Sequence, residues 1–434
     1  MDSLRIGSPK RNAASKSGWQ GFFPYYAGFS ETFARELIAS SPLNANSVIW
    51  DPWNGSGTTT FCAASLGISA KGTDINPVMV IIAKARLLPY TETDSLIPLA
   101  EDILDAGRHS QARVRANEPL LGWFEATTAT YIRNVERSLR RLLVGNATIT
   151  SNGTDLSRLS SIAAALYVAL FTTCRSHLSC FATSNPTWMR TPDSDRVNVS
   201  VSRSQFETAF REHVNAMAAS MRLLIPHDRR LSDQAQVLIE AGDTTQLKLP
   251  AEPADLVLTS PPYCTRIDYA AATRIELALV EPWQNTNAVG LSRQMIGSTR
   301  VPLHRPVPTR NWGKKCISFL HKVREHPSKA SRSYYLKNHL DYFDKMSRSM
   351  KTISDGLRLG GLAVFVVQDS YYKEIWNPLP DILSEMAYSS GLIETRREDF
   401  GSTRSMAGIN RGSLAYRQHR SPTESVMCFQ KQQG

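Results

Sequence analysis

Two short runs in this chain hold residue types that could do chemistry together. The first is Asp51-Pro52-Trp53-Asn54-Gly55-Ser56-Gly57-Thr58-Thr59, placed between an apolar strand and a helix. Glycines there let the backbone turn sharply and come close to a ligand. The start of the following helix offers unpaired N–H groups to an anion such as a carboxylate or phosphate. Asp74 follows 23 residues after Asp51, at the end of the next strand, where a carboxylate suits hydrogen bonding to ribose hydroxyls. Together these argue for a nucleoside-containing cofactor. The glycines are not followed by Lys-Ser/Thr, which excludes a P-loop, and they lack the Gly-x-Gly-x-x-Gly spacing of dinucleotide sites.

The second run is Thr259-Ser260-Pro261-Pro262-Tyr263, after the apolar strand Asp255 to Leu258. An exocyclic amine on a heteroaromatic ring is a poor nucleophile, because its lone pair is delocalised. An acceptor bonded to its N–H helps the nitrogen become pyramidal, and the Ser260 hydroxyl and Pro261 carbonyl could both act so. Two prolines fix the backbone and hence the carbonyl direction. Tyr263 offers a face for a planar ring.

The first run resembles the cofactor motif of amino-group DNA methyltransferases, written DPFxGSGTT, with Trp53 where Phe is usual. Gly72-Thr73-Asp74-Ile75-Asn76-Pro77 is similar to the family's GxDxNP element, and Ser260-Pro261-Pro262-Tyr263 fills its catalytic motif [DNST]-P-P-[YFW]. Phe23-Pro24-Tyr25-Tyr26-Ala27-Gly28-Phe29 is a looser match to the segment that closes over the methionine end. The resemblance implies S-adenosylmethionine as cofactor, with Asp51, Gly55, Gly57 and Thr58 lining its methionine part and Asp74 holding its ribose. Asp243 resembles the acidic residue that contacts the adenine amino group. Tyr25, Pro52, Ser56, Thr59, Asn76 and Thr259 belong to the same expected cofactor site. Ser260, Pro261, Pro262 and Tyr263 become the expected catalytic residues, with Tyr263 stacking on a base flipped out of the duplex. Within the family the Ser form is more usual for cytosine N4 and the Asp form for adenine N6. The resemblance therefore implies a DNA cytosine-N4 methyltransferase, in a restriction-modification or defence setting with a cognate restriction endonuclease. Adenine-N6 methylation, guanine-N2 methylation of RNA, and a nucleic-acid-binding module without catalysis stay open.

The elements that must position these runs alternate between strand and helix. Strands are expected at Val48 to Trp50, Ser69 to Thr73, Gln236 to Glu240, Asp255 to Leu258 and Leu362 to Val367, and near Leu392 and Val426. Helices are expected at Phe29 to Ala39, Pro77 to Leu88, Tyr334 to Ser354 and Leu379 to Tyr388. The expected fold is α/β: a doubly wound, mostly parallel, seven-stranded Rossmann-like methyltransferase sheet with a helical insertion. Residues 1–18 read as a flexible basic tail and 19–88 as the cofactor-binding half. Residues 89–235 read as the helical insert, a candidate for target recognition, and 236–434 as the catalytic half. In doubly wound sheets ligands sit at the carboxyl ends of strands where the strand order reverses, so the two runs should meet if their strands are neighbours there.

The 434 residues carry a formal net charge of +11. The segment Arg293 to Lys351 alone holds fourteen Lys and Arg against three Asp and Glu, a net of +11. A basic stretch just after the catalytic run suits phosphate contact. Arg300, Arg305, Arg310, Lys314 and Lys315, interleaved with Pro and Trp312, are the expected contacts to double-stranded DNA. The six cysteines are scattered, and Cys174, His177 and Cys180 lack a fourth ligand, so neither a disulfide scaffold nor a metal is expected. The longest apolar run, Ile162 to Phe171, is about half the length that spans a bilayer, and the N-terminus is polar and basic. A cytoplasmic, prokaryotic protein without a membrane partner is the expectation. Asp399-Phe400-Gly401 matches a kinase triplet, but the other kinase elements are missing from their required order.

Overall fold

The computed structural model describes residues 4–11, 23, 28–145, 149–150, 153–183, 188–190, 198–223, 235–247, 252–264, 269–284, 287–302, 305–401 and 423–432. Tyr25 and most of the polar loop 184–188 lie outside these residues. Seven strands form one sheet: β1 (Val48–Asp51), β2 (Ser69–Asp74), β3 (Val237–Ala241), β4 (Ala254–Thr259), β5 (Leu357–Gln368), β6 (Leu392–Gly401) and β7 (Thr423–Lys431). Their order across the sheet is β6-β7-β5-β4-β1-β2-β3. β7 runs antiparallel to both neighbours, and the remaining pairings are parallel. The sheet is thus the mostly parallel α/β sheet read from the alternating pattern.

Side chains alternate across the strands with a period of two, and both faces are covered. Ile49, Leu256, Leu258, Val364, Val366, Val426 and Cys428 face α1 (Glu31–Ser40) and α2 (Thr58–Ser65). Trp50, Val257, Ala363, Phe365, Met427 and Phe429 share the opposite core with three helices from the second half of the chain. The local signals that start these helices are legible. Ser30 caps α1 by accepting the Phe33 N–H. Asn76 caps α3 (Pro77–Ala85) by accepting the Val78 N–H, with Pro77 in the first helical turn.

Residues 96–223 fold largely into four long helices, α4 (Leu96–His109), α5 (Ala126–Leu143), α6 (Ser161–Ser176) and α7 (Arg203–Leu223). Their apolar faces form one continuous core with α3 and with α8 (Arg274–Gln284). Pro282 sits inside α8 and has no N–H to give the carbonyl of Ala278, four residues back. Arg133 of α5 supplies the missing donor, bonding the Ala278 and Leu279 carbonyls at 2.8 and 2.6 Å. The same guanidinium pairs with Glu118 and Glu136, so a charge that is 1% exposed is fully engaged. α9 (Ala288–Gln294), α10 (Lys314–Glu325), α11 (Leu336–Gly356) and α12 (Leu379–Ser389) follow, and α10 to α12 cover the Trp50 face of the sheet.

One expectation changes. Residues 4–11, read as part of a flexible tail, are packed. Leu4 is 6% exposed in the core beneath α1, and the Pro9 carbonyl accepts the Ser30 N–H at 2.9 Å. Arg396 of β6 donates to the Leu4 carbonyl at 2.9 Å. The charge scatter that reads as disorder hides an apolar anchor, one long-range backbone bond and one long-range bond from an arginine side chain.

Candidate active site

β1 and β4 are neighbours at the centre of the sheet, and the chain winds outward from them in opposite directions. Their carboxyl ends, Asp51 and Thr259, therefore meet at the switch point. A cavity opens there. Asp51, Gly55, Ser56, Thr58, Asp74, Asn76 and Asp243 line it on one side. Ser260, Pro261, Pro262 and Tyr263 line it on the other, so the two chemical runs share one site.

The side formed by the Gly-rich turn is built around two carboxylates, buried Asp51 and half-buried Asp74. Asp51 accepts three hydrogen bonds: from the Thr59 hydroxyl at 2.7 Å, the Thr259 hydroxyl at 2.6 Å and the Trp53 N–H at 3.1 Å. Burial nevertheless pushes its carboxyl up to about 6, the hydrogen bonds offsetting only part of the desolvation. Asp74 accepts from the Gly55 N–H at 2.9 Å and the Asn76 N–H at 2.8 Å. Burial raises it to about 6 as well, with the nearby Asp51 charge adding to the rise. Hydrogen bonds rather than a cationic side chain hold both groups. Asn54 lies 4% exposed on the cavity wall, and its amide nitrogen has no partner among the described residues. α2 begins at Thr58 with no side-chain cap, so its first-turn N–H groups face the turn that lines the cavity.

Four expected cofactor residues stand behind the wall and act on it through others. Thr59 and Thr259 hold Asp51. The Pro52 carbonyl accepts the Thr244 hydroxyl at 2.6 Å, tying the turn after β1 to the one after β3. Gly57 has φ 78°, and a Cβ there would lie 2.8 Å from the Ala83 Cβ. Glycine lets α2 start against α3. Asp243 closes its own turn by accepting from the Thr245 N–H and hydroxyl, and keeps a place on the wall.

On the Ser-Pro-Pro-Tyr side, Ser260 donates to the Val366 carbonyl at 3.0 Å, and its hydroxyl also faces the Tyr263 phenol. The Pro262 carbonyl is taken by the Tyr342 hydroxyl at 2.8 Å. The Tyr263 N–H donates to the Tyr269 hydroxyl at 3.1 Å. The Pro261 carbonyl, like those of Ser260 and Tyr263, has no hydrogen-bond partner among the described residues, and Pro261 is on the wall. Burial pushes the Tyr263 phenol up to about 12, so it is neutral at ordinary pH.

Gly28 and Phe29 of the looser match and Trp53 and Asn54 of the first run are also on the wall, and sequence reading missed Met79, Tyr269 and the stretch Gln294-Met295-Ile296. Tyr269 and 294–296 carry no local motif and arrive by tertiary folding. The expected DNA contacts Arg300, Arg305, Arg310, Lys314 and Lys315 are all exposed, and none lines the cavity. Lys315 is already committed to Asp381 at 2.7 Å. Arg293 and Arg300 flank the wall stretch 294–296 and are the exposed cations nearest to it in the chain. No group of three or more His, Cys, Asp and Glu able to hold a metal occurs among the described residues. No helix among them is long and apolar enough to cross a membrane.

No protein-family description and no curated protein matches this chain. Among solved structures, the rRNA methyltransferase AviRa from Streptomyces viridochromogenes aligns at 10% identity and a TM-score of 0.29, covering 94% of this chain and 87% of that one. A second structure of it gives 12% identity and a TM-score of 0.27, covering 93% and 86%. A protein assigned as a sarcosine dimethylglycine methyltransferase from Galdieria sulphuraria gives 9% identity and a TM-score of 0.30, covering 93% and 85%. Likeness this loose assigns neither fold nor activity, and both rest on the chain's own geometry.

Proposed function

We propose that this chain is an S-adenosylmethionine-dependent methyltransferase of the amino-group DNA type, acting on an exocyclic amine of a flipped base, cytosine N4 first. The observation that carries this is one cavity lined both by the Gly-rich turn with the carboxylates Asp51 and Asp74 and by Ser260-Pro261-Pro262-Tyr263. The donor set fits the cofactor. Asp51 and Asp74, raised by burial, favour a ligand that brings a cation or hydroxyl donors. The unpartnered Asn54 amide nitrogen and the uncapped start of α2 favour a carboxylate. An amino acid joined to a ribose offers all of these.

S-adenosylmethionine supplies a methyl group already activated on sulfonium, so the protein has no covalent intermediate to form. The chain's work is placement. Ser260 and the Pro261 carbonyl accept from the amine N–H groups and favour a pyramidal nitrogen, whose lone pair is withdrawn from conjugation with the ring and available to the methyl. Tyr263, neutral and half-buried, gives the base a stacking face. Bringing the nitrogen to the methyl in line is worth several kcal/mol of barrier, up to about 7–11 for well-oriented partners. Double-stranded DNA is the proposed substrate, with Arg293 and Arg300 beside the wall as phosphate contacts and a restriction-modification system, with its endonuclease, as the setting.

Titration calorimetry tests the cofactor half. Wild type should bind S-adenosylmethionine, Asp74→Ala should weaken binding at least about tenfold, and Tyr263→Ala should leave it within about threefold. A wild-type chain that binds neither S-adenosylmethionine nor its demethylated product refutes the reading.

A further inference from the structure

Two turns of α11 grip both sides of the catalytic half of the cavity. Tyr342, 1% exposed, donates its hydroxyl to the Pro262 carbonyl at 2.8 Å and so holds the Ser-Pro-Pro-Tyr loop. Lys345, three residues on and 7% exposed, donates to the carbonyls of Arg293 and Met295 at 2.9 and 3.2 Å. Those carbonyls end α9, where the last C=O groups have no partner in the helix and a cation is favoured. Asp341 neutralises Lys345 from one turn back, at 2.9 Å. Between the two Lys345 bonds lies Gln294, and Gln294, Met295 and Ile296 form the wall beside the loop.

The two gripped segments also touch each other. Gly297 takes φ 78°, and a Cβ there would lie 2.8 Å from the Tyr263 carbonyl oxygen and 3.8 Å from the Tyr342 ring. The loop, the wall and α11 therefore meet at one place with no room for a side chain. On the far side, the Tyr269 hydroxyl takes the Tyr263 N–H. The Pro262 carbonyl and the Tyr263 N–H are both engaged, which fixes the loop, while the Pro261 carbonyl has no partner among the described residues and is open to a substrate donor.

We propose that Tyr342 and Lys345 are positioning residues for methyl transfer. α11 sets the gap between the catalytic loop and the Gln294–Ile296 wall, and with it the fit of the target base. The inference rests on the proposed methyltransferase function. Neither side chain touches the reacting atoms. Tyr342 acts through the loop that carries the acceptors, and Lys345 through the wall that the base must clear. The two losses should therefore differ in kind: Tyr342 governs the chemical step and Lys345 governs substrate entry.

The experiment is steady-state methyl transfer to duplex DNA by the full chain, as wild type, Tyr342→Phe, Lys345→Met and Ile353→Ala. Ile353 is buried on the same helix, far along from the loop, and serves as the stability control. Tyr342→Phe should lower kcat about 10-fold to 100-fold, with S-adenosylmethionine affinity held within about twofold, as expected when reacting groups shift by a fraction of an ångström. Lys345→Met should raise KM for DNA about tenfold with a smaller change in kcat. Ile353→Ala should lower the melting temperature but keep kcat per folded molecule within about twofold of wild type. Unchanged kcat in Tyr342→Phe, or a loss shared with Ile353→Ala, overturns the inference while leaving the enzyme reading intact. A wild type that binds DNA and cofactor yet transfers no methyl overturns both.

Discussion

Replacing Asp51 by Asn should make the protein more stable at neutral pH while weakening the cofactor site. Burial raises the Asp51 carboxyl from 3.8 to about 6 in the folded chain. The folded state therefore binds the proton more tightly than the unfolded state. This group's contribution is fully present below about pH 4 and is lost as pH rises to about 6, after which the buried charge is a standing cost. A rise of about 2 units corresponds to about 3 kcal/mol at pH 7.5, by 1.36 kcal/mol per unit. Asn removes the charge and can keep the network. Its amide nitrogen would face Thr59, whose hydroxyl already has the Leu258 carbonyl at 3.1 Å as a second acceptor. Thr259 and Trp53 can still donate to the remaining oxygen. Asp51→Asn should then gain up to about 3 kcal/mol at pH 7.5, or about 3–6 °C for a chain of this size, and little at pH 4.5. Thermal scans of both proteins between those pH values measure the gap. S-adenosylmethionine should raise the wild-type midpoint more than the variant's. A variant less stable than wild type at pH 7.5, or a gap that does not change with pH, refutes the reasoning.

Affinity for S-adenosylmethionine should strengthen up to about tenfold per pH unit as pH rises toward about 6, because Asp74 must ionise to accept hydroxyls; calorimetry on Asp74→Asn should show that dependence removed. Gly57→Ala should cost at least about 2 kcal/mol in a urea titration, from the positive φ and the 2.8 Å approach to Ala83. Arg133→Met leaves Glu118 and Glu136 without their guanidinium and should cost about 3–5 kcal/mol, read as a drop in melting temperature; a loss under about 1 kcal/mol would mean the insert does not lean on this residue. In DNA binding, Arg300→Gln should reduce the slope of log affinity against log salt by about 0.9, whereas Lys315→Gln, already paired with Asp381, should change it less.

The fold was legible wherever a strand end coincided with a residue pattern. Val48 to Asp51, Ser69 to Asp74 and Ala254 to Thr259 end in the residues that line or hold the site, and apolar runs of these lengths with turn residues behind them declare themselves. The long helix near the C-terminal half was expected at Tyr334 to Ser354 and spans Leu336–Gly356. Gly57, Thr59 and Thr259 stand out in the sequence, but whether such residues touch a ligand or support one that does is a question of distance, which spacing does not give. The wall 294–296 reaches the cavity from far along the chain, and Tyr342 and Lys345 hold the loop and that wall from farther still. Their hydrogen bonds join residues as far apart as Pro262 and Tyr342, and such pairings leave no periodicity to read. The packed segment 4–11 was hidden for the same reason, since its bonds run to α1 and β6.

The measurement that bears most directly on the proposed function is identification of the methylated nucleoside. Purified protein would be incubated with labelled S-adenosylmethionine and duplex DNA of mixed sequence, or with bulk tRNA, and the digests analysed by mass spectrometry. The account predicts labelled N4-methylcytosine from DNA, absent with Tyr263→Ala. N6-methyladenine would keep the site and change the base, and label confined to tRNA would contradict the DNA assignment. No label in either pool, from a protein that binds the cofactor and with duplex DNA that contains every short sequence motif, would contradict the account as a whole.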